Sequence, residues 1–223
     1  KTKEWFEYRK IFVQESRIKQ GVELWTDQAP HVKRAAQEFG VAPEIIVAII
    51  GVETRYGRHA GKYRVLDALA TLGFDYPRRG KFFRGQLEQF MLLVREQSQD
   101  PLTLMGSYAG AMGYGQFIPS SFRSFAVDFD GDKVIDIWQN PADAIGSVAN
   151  YFRAHKWKTG EPVVARARIK DRYDKSVINS KKRPKHSLKE LQEKGFTLVE
   201  TKLDSATKGL PLMFVGDHGK EFW

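Results

Sequence analysis

The sequence predicts a mainly helical α+β protein: a helical domain over residues 1–157, then a smaller antiparallel β-rich domain over residues 158–223. Three observations predict it. Apolar residues recur at helical spacing through the first two-thirds of the chain. Proline and glycine stand where helices start and stop. After Trp157 the pattern changes to strict alternation, the signature of half-buried strands.

Taken in order, residues 21–39 carry Val22, Trp25, Ala29, Val32, Ala36 and Phe39 near helical spacing, and Pro30 would kink or split that stretch. Gly40 is a stop signal, and Pro43 suits a first helical turn, so the next helix runs from Pro43 to about Arg55, with Gly57 behind it. A short helix is expected over Val65–Leu72. A longer one is expected over Phe82–Gln97, with Phe83, Leu87, Phe90, Met91 and Val94 as its apolar stripe. Tyr108–Gln116, rich in glycine, reads as a loop or a tightly packed turn. Pro119 opens a short helix, and Asn140-Pro141, a cap and a first-turn proline, opens one that runs to about Ala154. In the second domain, Val163, Ala165, Ala167 and Ile169 face one way while Arg166 and Arg168 face the other. Phe196–Leu203 and Leu210–Val215 also read as extended. Asp217-His218-Gly219-Lys220 is a hairpin turn. Ser187 and Glu190 form a capping-box pattern for a short helix that ends at Gly195.

Composition sets the outer limits. With 42% hydrophobic and 13% aromatic residues in 223 positions, the chain can bury a core and is not a disordered sequence. The longest apolar stretch, Val41–Val52, is interrupted by Pro43 and Glu44 and is too short to span a bilayer. With no cysteine, disulfides, thiol catalysis and thiolate metal ligation are excluded. A net charge of +9 draws the protein toward polyanions: nucleic acid, anionic lipid or bacterial wall. No nucleic-acid motif accompanies the charge, so no nucleic-acid partner is expected. The densest basic run, Lys181-Lys182-Arg183-Pro184-Lys185, reads as a solvated loop. A start at Lys1-Thr2-Lys3, without Met, is what a processed or trimmed chain would show.

The most informative single residue is Glu53. On a helix it lies one turn beyond Ile49 and Ile50 and two turns beyond Ile46, along an apolar stripe. Burial disfavours the charged form, so a carboxyl at a cleft edge there would hold its proton to higher pH, as a general acid for a glycosidic oxygen must. Alternatively, Glu53 marks the wet end of the helix and pairs with Arg55 or Lys62. Periodicity leaves both readings open.

The neighbourhood of Glu53 carries a resemblance. Ile49-Ile50-Gly51-Val52-Glu53-Thr54-Arg55-Tyr56-Gly57 resembles the catalytic segment of the membrane-bound lytic murein transglycosylase B family. Three further blocks match in order: Leu66-Asp67-Ala68-Leu69-Ala70-Thr71-Leu72 with Tyr76-Pro77-Arg78-Arg79; Gly106 through Ser121; and Asp143 through Phe152. The likeness runs from about Tyr8 to the end and is strongest between Val41 and Trp157. It implies a lysozyme-like helical core with a smaller β domain, and cleavage of the β-1,4 bond between N-acetylmuramic acid and N-acetylglucosamine in peptidoglycan, leaving a 1,6-anhydro sugar. It implies Glu53 as the catalytic acid/base, with no second carboxylate opposite. Ser107, Gln116 and Tyr151 match residues lining the sugar cleft. Met112, Tyr114, Phe117, Arg78 and Arg79 match further cleft positions. It also implies a monomer acting in the periplasm on glycan strands, either soluble or attached to the outer membrane through a lipid anchor outside this chain. The family usually has more helical sequence before the position of Lys1 and an aromatic, asparagine-containing stretch after that of Trp223, so the β-rich domain is expected to be truncated. A catalytically idle wall-binding domain would share every block, and product analysis separates the two.

A second pattern concerns a metal. Asp128-Phe129-Asp130-Gly131-Asp132-Lys133-Val134-Ile135-Asp136 puts acidic oxygens at alternate positions, like the first half of an EF-hand loop, with the Val134 carbonyl at the seventh place. Ligands are expected from Asp128, Asp130, Asp132 and Val134. Two departures stand out: Lys133 replaces the sharp-turn glycine, and the twelfth position is Gln139. The family resemblance implies that Asp143 closes the site and that the ion is a structural Ca2+, with no cofactor for catalysis. A solvated acidic turn is the alternative.

Overall fold

The computed structural model describes residues 3–178, 183–199, 203–215 and 221–222. Contacts divide the chain into two units, Gln14–Gly160 and a second made of Lys1–Val13 with Glu161–Trp223. The sequence placed residues 1–13 with the helical domain, whereas the structure groups them with the C-terminal residues. The reason is a long-range contact: the helix Trp5–Phe12 (α1) buries none of its residues, and it touches the C-terminal strand Phe214–Val215.

The larger unit is helical. Glu15–Asp27 (α2) and Ala29–Phe39 (α3) are split at Gln28, with Pro30 in the first turn of α3. Val32, Ala35 and Phe39 form the buried face of α3, which ends at Gly40 with φ 71°. Pro43–Thr54 (α4) follows, then the short strand Tyr63–Arg64 (β1), Val65–Phe74 (α5) and Gly80–Glu96 (α6). The strand Met105–Gly106 (β2) pairs antiparallel with β1, Tyr63 opposite Gly106 and Arg64 opposite Met105. Pro119–Phe125 (α7) and Pro141–Ala154 (α8) complete the unit. The Asn140 side chain caps α8 as expected, accepting from the Ala142 amide at 3.0 Å. From Ala142 to Ala149 every residue of α8 is buried, so this helix is central. It shares one hydrophobic core with Ile46, Ile50, Phe117, Phe122 and Phe129. A fully buried Ile or Phe contributes roughly 1.5–3 kcal/mol. One expectation fails on α6: Met91 is exposed, and Leu93 takes the buried place beside Phe83, Phe90 and Val94. The helix lies between α5 and α7, and two packed sides widen its buried face beyond a single stripe. Among the described residues no single helix is long and apolar enough to cross a membrane.

The smaller unit is built of two-stranded antiparallel ladders. Ala167–Ile169 (β3) is shorter than the predicted strand: Val163 and Val164 are exposed, and the ladder register spans residues 167–169. That partner is Phe196–Leu198 (β5), in the register Ala167 to Leu198, Arg168 to Thr197 and Ile169 to Phe196. His186–Ser187 (β4) pairs with Lys208–Gly209 (β6), and Phe214–Val215 (β7) pairs with Glu221–Phe222 (β8). The predicted turn Asp217–Lys220 and the basic residues Lys181 and Lys182 lie outside the described residues. Leu188–Glu193 (α9) starts with the predicted capping box: Ser187 Oγ accepts from the Glu190 amide, and the Glu190 carboxylate accepts from the Ser187 amide. Val177, Leu191 and Phe196 form its small core.

Candidate active site

Helix α4 presents Ile46, Val47, Ile50, Gly51 and Thr54 to the core. Glu53 is off that face. It stands four and eight residues beyond Ile49 and Ile45, both half-buried, and beside exposed Val52. The carboxylate therefore sits on the border of the buried stripe, where core meets solvent. It is exposed, yet the protein packed on one side removes enough water to raise its pKa above the ordinary glutamate value, and that desolvation is the only cause. Among the described residues the Glu53 side chain makes no hydrogen bond or ion pair. Of the two cations that could have neutralised it, Arg55 turns away and donates through Nε to Gln20 Oε1 at 2.8 Å, and Lys62 forms no bridge to it.

The chain turns sharply behind Glu53. Arg55 and Tyr56 take left-handed conformations, φ 51° and 61°, and the Tyr56 amide bonds back to the Ile50 carbonyl at 3.2 Å. The Tyr56 ring lies flat against the backbone of α4: a Cβ on Gly51 would come within 2.6 Å of it. Gly57 is doubly constrained, by φ 83° and by the Tyr114 ring, 2.3 Å from where a Cβ would stand. Buried Thr54 joins this turn to the loop that follows β2. Its Oγ1 lies 2.9 Å from the Tyr114 carbonyl and 3.1 Å from the Ile50 carbonyl, and accepts from the Gly57 amide at 3.0 Å.

That loop, residues 107–118, is held by its own backbone. The Met112 and Phe117 amides each bond to the other's carbonyl, at 2.8 and 2.9 Å, and the Tyr114 amide bonds to the Ile137 carbonyl at 3.0 Å. Ser107 Oγ accepts from the Ala109 and Ala111 amides at 3.3 and 3.1 Å, which leaves its proton to donate. Gln116, at φ 51°, donates through Nε2 to the Ala60 and Gly113 carbonyls, both at 3.1 Å. Its Oε1 remains an available acceptor. Tyr151 on α8 is 37% exposed, and the Phe117 and Phe125 rings meet it edge-on at 5.8 and 5.2 Å.

The acidic loop lies between α7 and α8. Carboxylate oxygens of Asp128, Asp130 and Asp143 gather within 4.8 Å of one another. Asp143 is fully buried and accepts from the Phe129 and Asp136 amides at 2.6 and 2.8 Å. Burial pushes its pKa up; those two amides oppose the shift, and the charges of Asp130 and Asp128 add to it. Asn140 Nδ2 donates to Asp130 at 2.8 Å and is the main cause of that carboxyl's lowered pKa. Lys133 adopts φ 75°, so the left-handed turn forms without the expected glycine. A cluster of hard oxygens with one member buried fits a hard divalent cation.

The sequence model of the Transglycosylase SLT domain matches residues 1–223. The chain belongs to this transglycosylase family. It is 56% identical over 163 residues to membrane-bound lytic murein transglycosylase B of Escherichia coli K12, a match covering 73% of this chain and 45% of that protein. The aligned stretch is thus less than half of that relative. The crystal structure of soluble lytic transglycosylase SltB1 from Pseudomonas aeruginosa superposes with a TM-score of 0.95 at 54% identity, over 100% of this chain and 74% of the other. Escherichia coli Slt35 in complex with calcium superposes at 0.86 with 46% identity, over 97% and 68%. The fold is that of the lytic transglycosylases, a lysozyme-like helical core with small antiparallel sheets.

Set against this transglycosylase fold, the expected site residues divide. One connected framework carries Glu53, Ser107, Gln116, Tyr114 and Tyr151: α4 meets the loop through Thr54 and Tyr114, and the loop meets α8 through Phe117 and Tyr151. Met112 was expected to line the cleft. It is 0% exposed, because its backbone pairs with Phe117 while its side chain fills the core, so it supports the loop from beneath. Phe117 is buried likewise, and its ring meets that of Tyr151 edge-on. Arg78 and Arg79 lie in the α5–α6 turn, where the Arg79 guanidinium covers the Phe82 and Phe83 rings at 4.5 and 5.2 Å. In the acidic loop Asp132 stands apart from the three-carboxylate cluster, and its Oδ1 accepts from the Val134 amide at 2.8 Å. Sequence reasoning missed Thr54 and the β1–β2 pairing. The position of Thr54 on the buried face, next to an ionisable residue at a helix end, was the signal available for the first; two-residue strands leave none.

Proposed function

We propose that the chain is a lytic transglycosylase that cleaves the β-1,4 bond between N-acetylmuramic acid and N-acetylglucosamine in peptidoglycan and leaves a 1,6-anhydromuramic acid end. The observation that carries this reading is the Glu53 carboxyl, raised by desolvation and free of any counter-charge among the described residues. Most glycosidases use two carboxylates, and substrate-assisted enzymes are exceptions. Here protonated Glu53 donates to the glycosidic oxygen as the C1–O bond breaks. The muramic N-acetyl carbonyl stabilises the positive charge at C1. Glu53, now a carboxylate, removes the proton from the C6 hydroxyl as that oxygen bonds to C1. The internal nucleophile outcompetes water through proximity. Ser107, through its hydroxyl proton, and Gln116, through Oε1, hold the acetamido group and sugar hydroxyls, and Tyr151 orients the acetamido group.

Asp128, Asp130 and Asp143, with Asp132 and the Val134 carbonyl completing an EF-hand-like set, would hold a structural Ca2+. The calcium complex of Slt35 supports this assignment. The ion takes no part in the chemistry; it fixes the loop that leads into α8, which bears Tyr151. The substrate makes the periplasm the place of action, and a monomer is sufficient for it. Glu53→Gln preserves shape but has no proton to give, so anhydromuropeptide release from purified sacculi, read by mass spectrometry, should vanish while the fold is kept. Retained release by that variant would overturn the proposal.

A further inference from the structure

The structure assigns a positioning role to His155, which the motifs around the site do not include. Its ring stacks on Tyr151, with centroids 4.0 Å apart and planes at 25°. Its Nδ1 lies 2.8 Å from the Tyr151 carbonyl oxygen. A carbonyl can only accept, so Nδ1 carries the proton and the imidazole orientation is fixed. Phe125 meets both rings edge-on, Tyr151 at 5.2 Å and His155 at 5.0 Å. Asn150 Nδ2 holds Phe125 in turn, donating to its carbonyl at 2.8 Å.

We infer that His155 holds the Tyr151 ring in the orientation that meets the glycan. His155 itself is exposed and stands at the C-cap of α8, past the last turn that packs on the core. Its ring therefore adds little to folding. Tyr151, by contrast, keeps a hydroxyl with no hydrogen-bond partner among the described residues. A phenol at the surface would lose rotational freedom when a sugar docks, and a ring already stacked has less to lose. Phe117 and Phe125 bound two sides of Tyr151 by their edges. The imidazole supplies the face that stops the ring swinging outward. This inference rests on the proposed place of Tyr151 in the sugar cleft.

The test compares His155→Ala, His155→Phe and His155→Asn, each alone and with Tyr151→Phe, in the full chain. The readouts are kcat and KM for muropeptide release, with melting temperature alongside. An aromatic pair of this kind corresponds to roughly a two- to ten-fold effect. His155→Ala should raise KM by about that factor with kcat nearly unchanged and Tm within about 2 °C. His155→Phe keeps the stack and should recover most of the loss; His155→Asn keeps a donor without a ring and should not. With the Tyr151 hydroxyl already removed, His155→Ala should add nothing. Additive losses, rescue by Asn in place of Phe, or an unchanged KM in His155→Ala would overturn the role of His155. If Tyr151→Phe alone changes neither constant, the placement of Tyr151 fails, and the role of His155 with it.

Discussion

Thr54→Val isolates the joint between α4, which carries Glu53, and the loop of residues 107–118. The hydroxyl is buried, 1% exposed, and serves two carbonyls and one amide: it lies 2.9 Å from the Tyr114 carbonyl, 3.1 Å from that of Ile50, and 3.0 Å from the Gly57 amide. Valine fills the same shape, so no cavity forms. The cost is electrostatic. The Gly57 amide loses its acceptor, and the Tyr114 carbonyl faces a methyl group. The Ile50 carbonyl still accepts from the amide of Tyr56, so it is not orphaned. One stranded donor and one stranded acceptor, at about 1–3 kcal/mol each and partly relieved by relaxation, give a loss of about 2–4 kcal/mol. Thr54→Ser keeps the hydroxyl and removes one methyl, for about 1 kcal/mol. Urea unfolding measures both. Activity should follow the joint: an ångström of misplacement costs up to about a hundred-fold in rate, so kcat should fall in Thr54→Val and hold in Thr54→Ser. If valine proves as stable as serine, packing and not hydrogen bonding fixes α4, and the argument for Thr54 is wrong.

Three further outcomes are expected. Because burial raises the Glu53 carboxyl and the proposed mechanism needs its proton, kcat should fall as pH rises through a value above that of an ordinary glutamate; a pH–rate profile whose alkaline limb lies at the ordinary value contradicts this. Gly57→Ala combines a left-handed φ with contact against Tyr114 and should cost about 2–4 kcal/mol, while Gly131→Ala, with φ 86° and open space, should cost about 1–2 kcal/mol, both by denaturant titration. Chelation should lower the melting temperature of the wild type, and Asp143→Asn, which keeps the shape but removes the buried charge, should abolish that response in calorimetry.

Much of the helical unit was legible because its signals are local. Asn140-Pro141 names the start of α8, and Gly40 and Pro43 bracket the α3–α4 turn, since caps and prolines act within one turn of where they stand. The motif blocks brought out Glu53, Ser107, Gln116 and Tyr151. What the sequence concealed was nonlocal. Whether Met112 faces sugar or core depends on a pairing with Phe117 that no period announces. The assignment of α1 depends on contacts made some two hundred residues later. The predicted strand from Val163 shrank to Ala167–Ile169 because alternation marks a half-buried surface but supplies no partner. In the acidic loop the alternation pointed to Asp128, Asp130 and Asp132, and only the resemblance pointed to Asp143; Asp143, thirteen residues beyond Asp130, gathers with Asp128 and Asp130, while Asp132 lies outside that cluster.

The net charge of +9 poses a problem that the structure answers locally. A guanidinium within a few ångströms of Glu53 would hold it ionised and end its use as an acid. Three arginines stand close enough in sequence or space to threaten this, and each is engaged elsewhere. Arg55 donates to Gln20 at 2.8 Å, Arg58 pairs with Glu23 at 3.3 Å, and Arg17 donates to the Gly51 carbonyl at 3.1 Å. All three contacts run between α2, or the turn that follows α4, and the neighbouring element. The polar face of α2 thus supplies two of these arginines with partners, Gln20 and Glu23. A carboxyl can be raised by burial alone only where its surroundings contain no cation, and a basic protein reaches that condition by giving its arginines other partners. On this argument α2 is part of the acid's environment although none of its side chains bonds to Glu53.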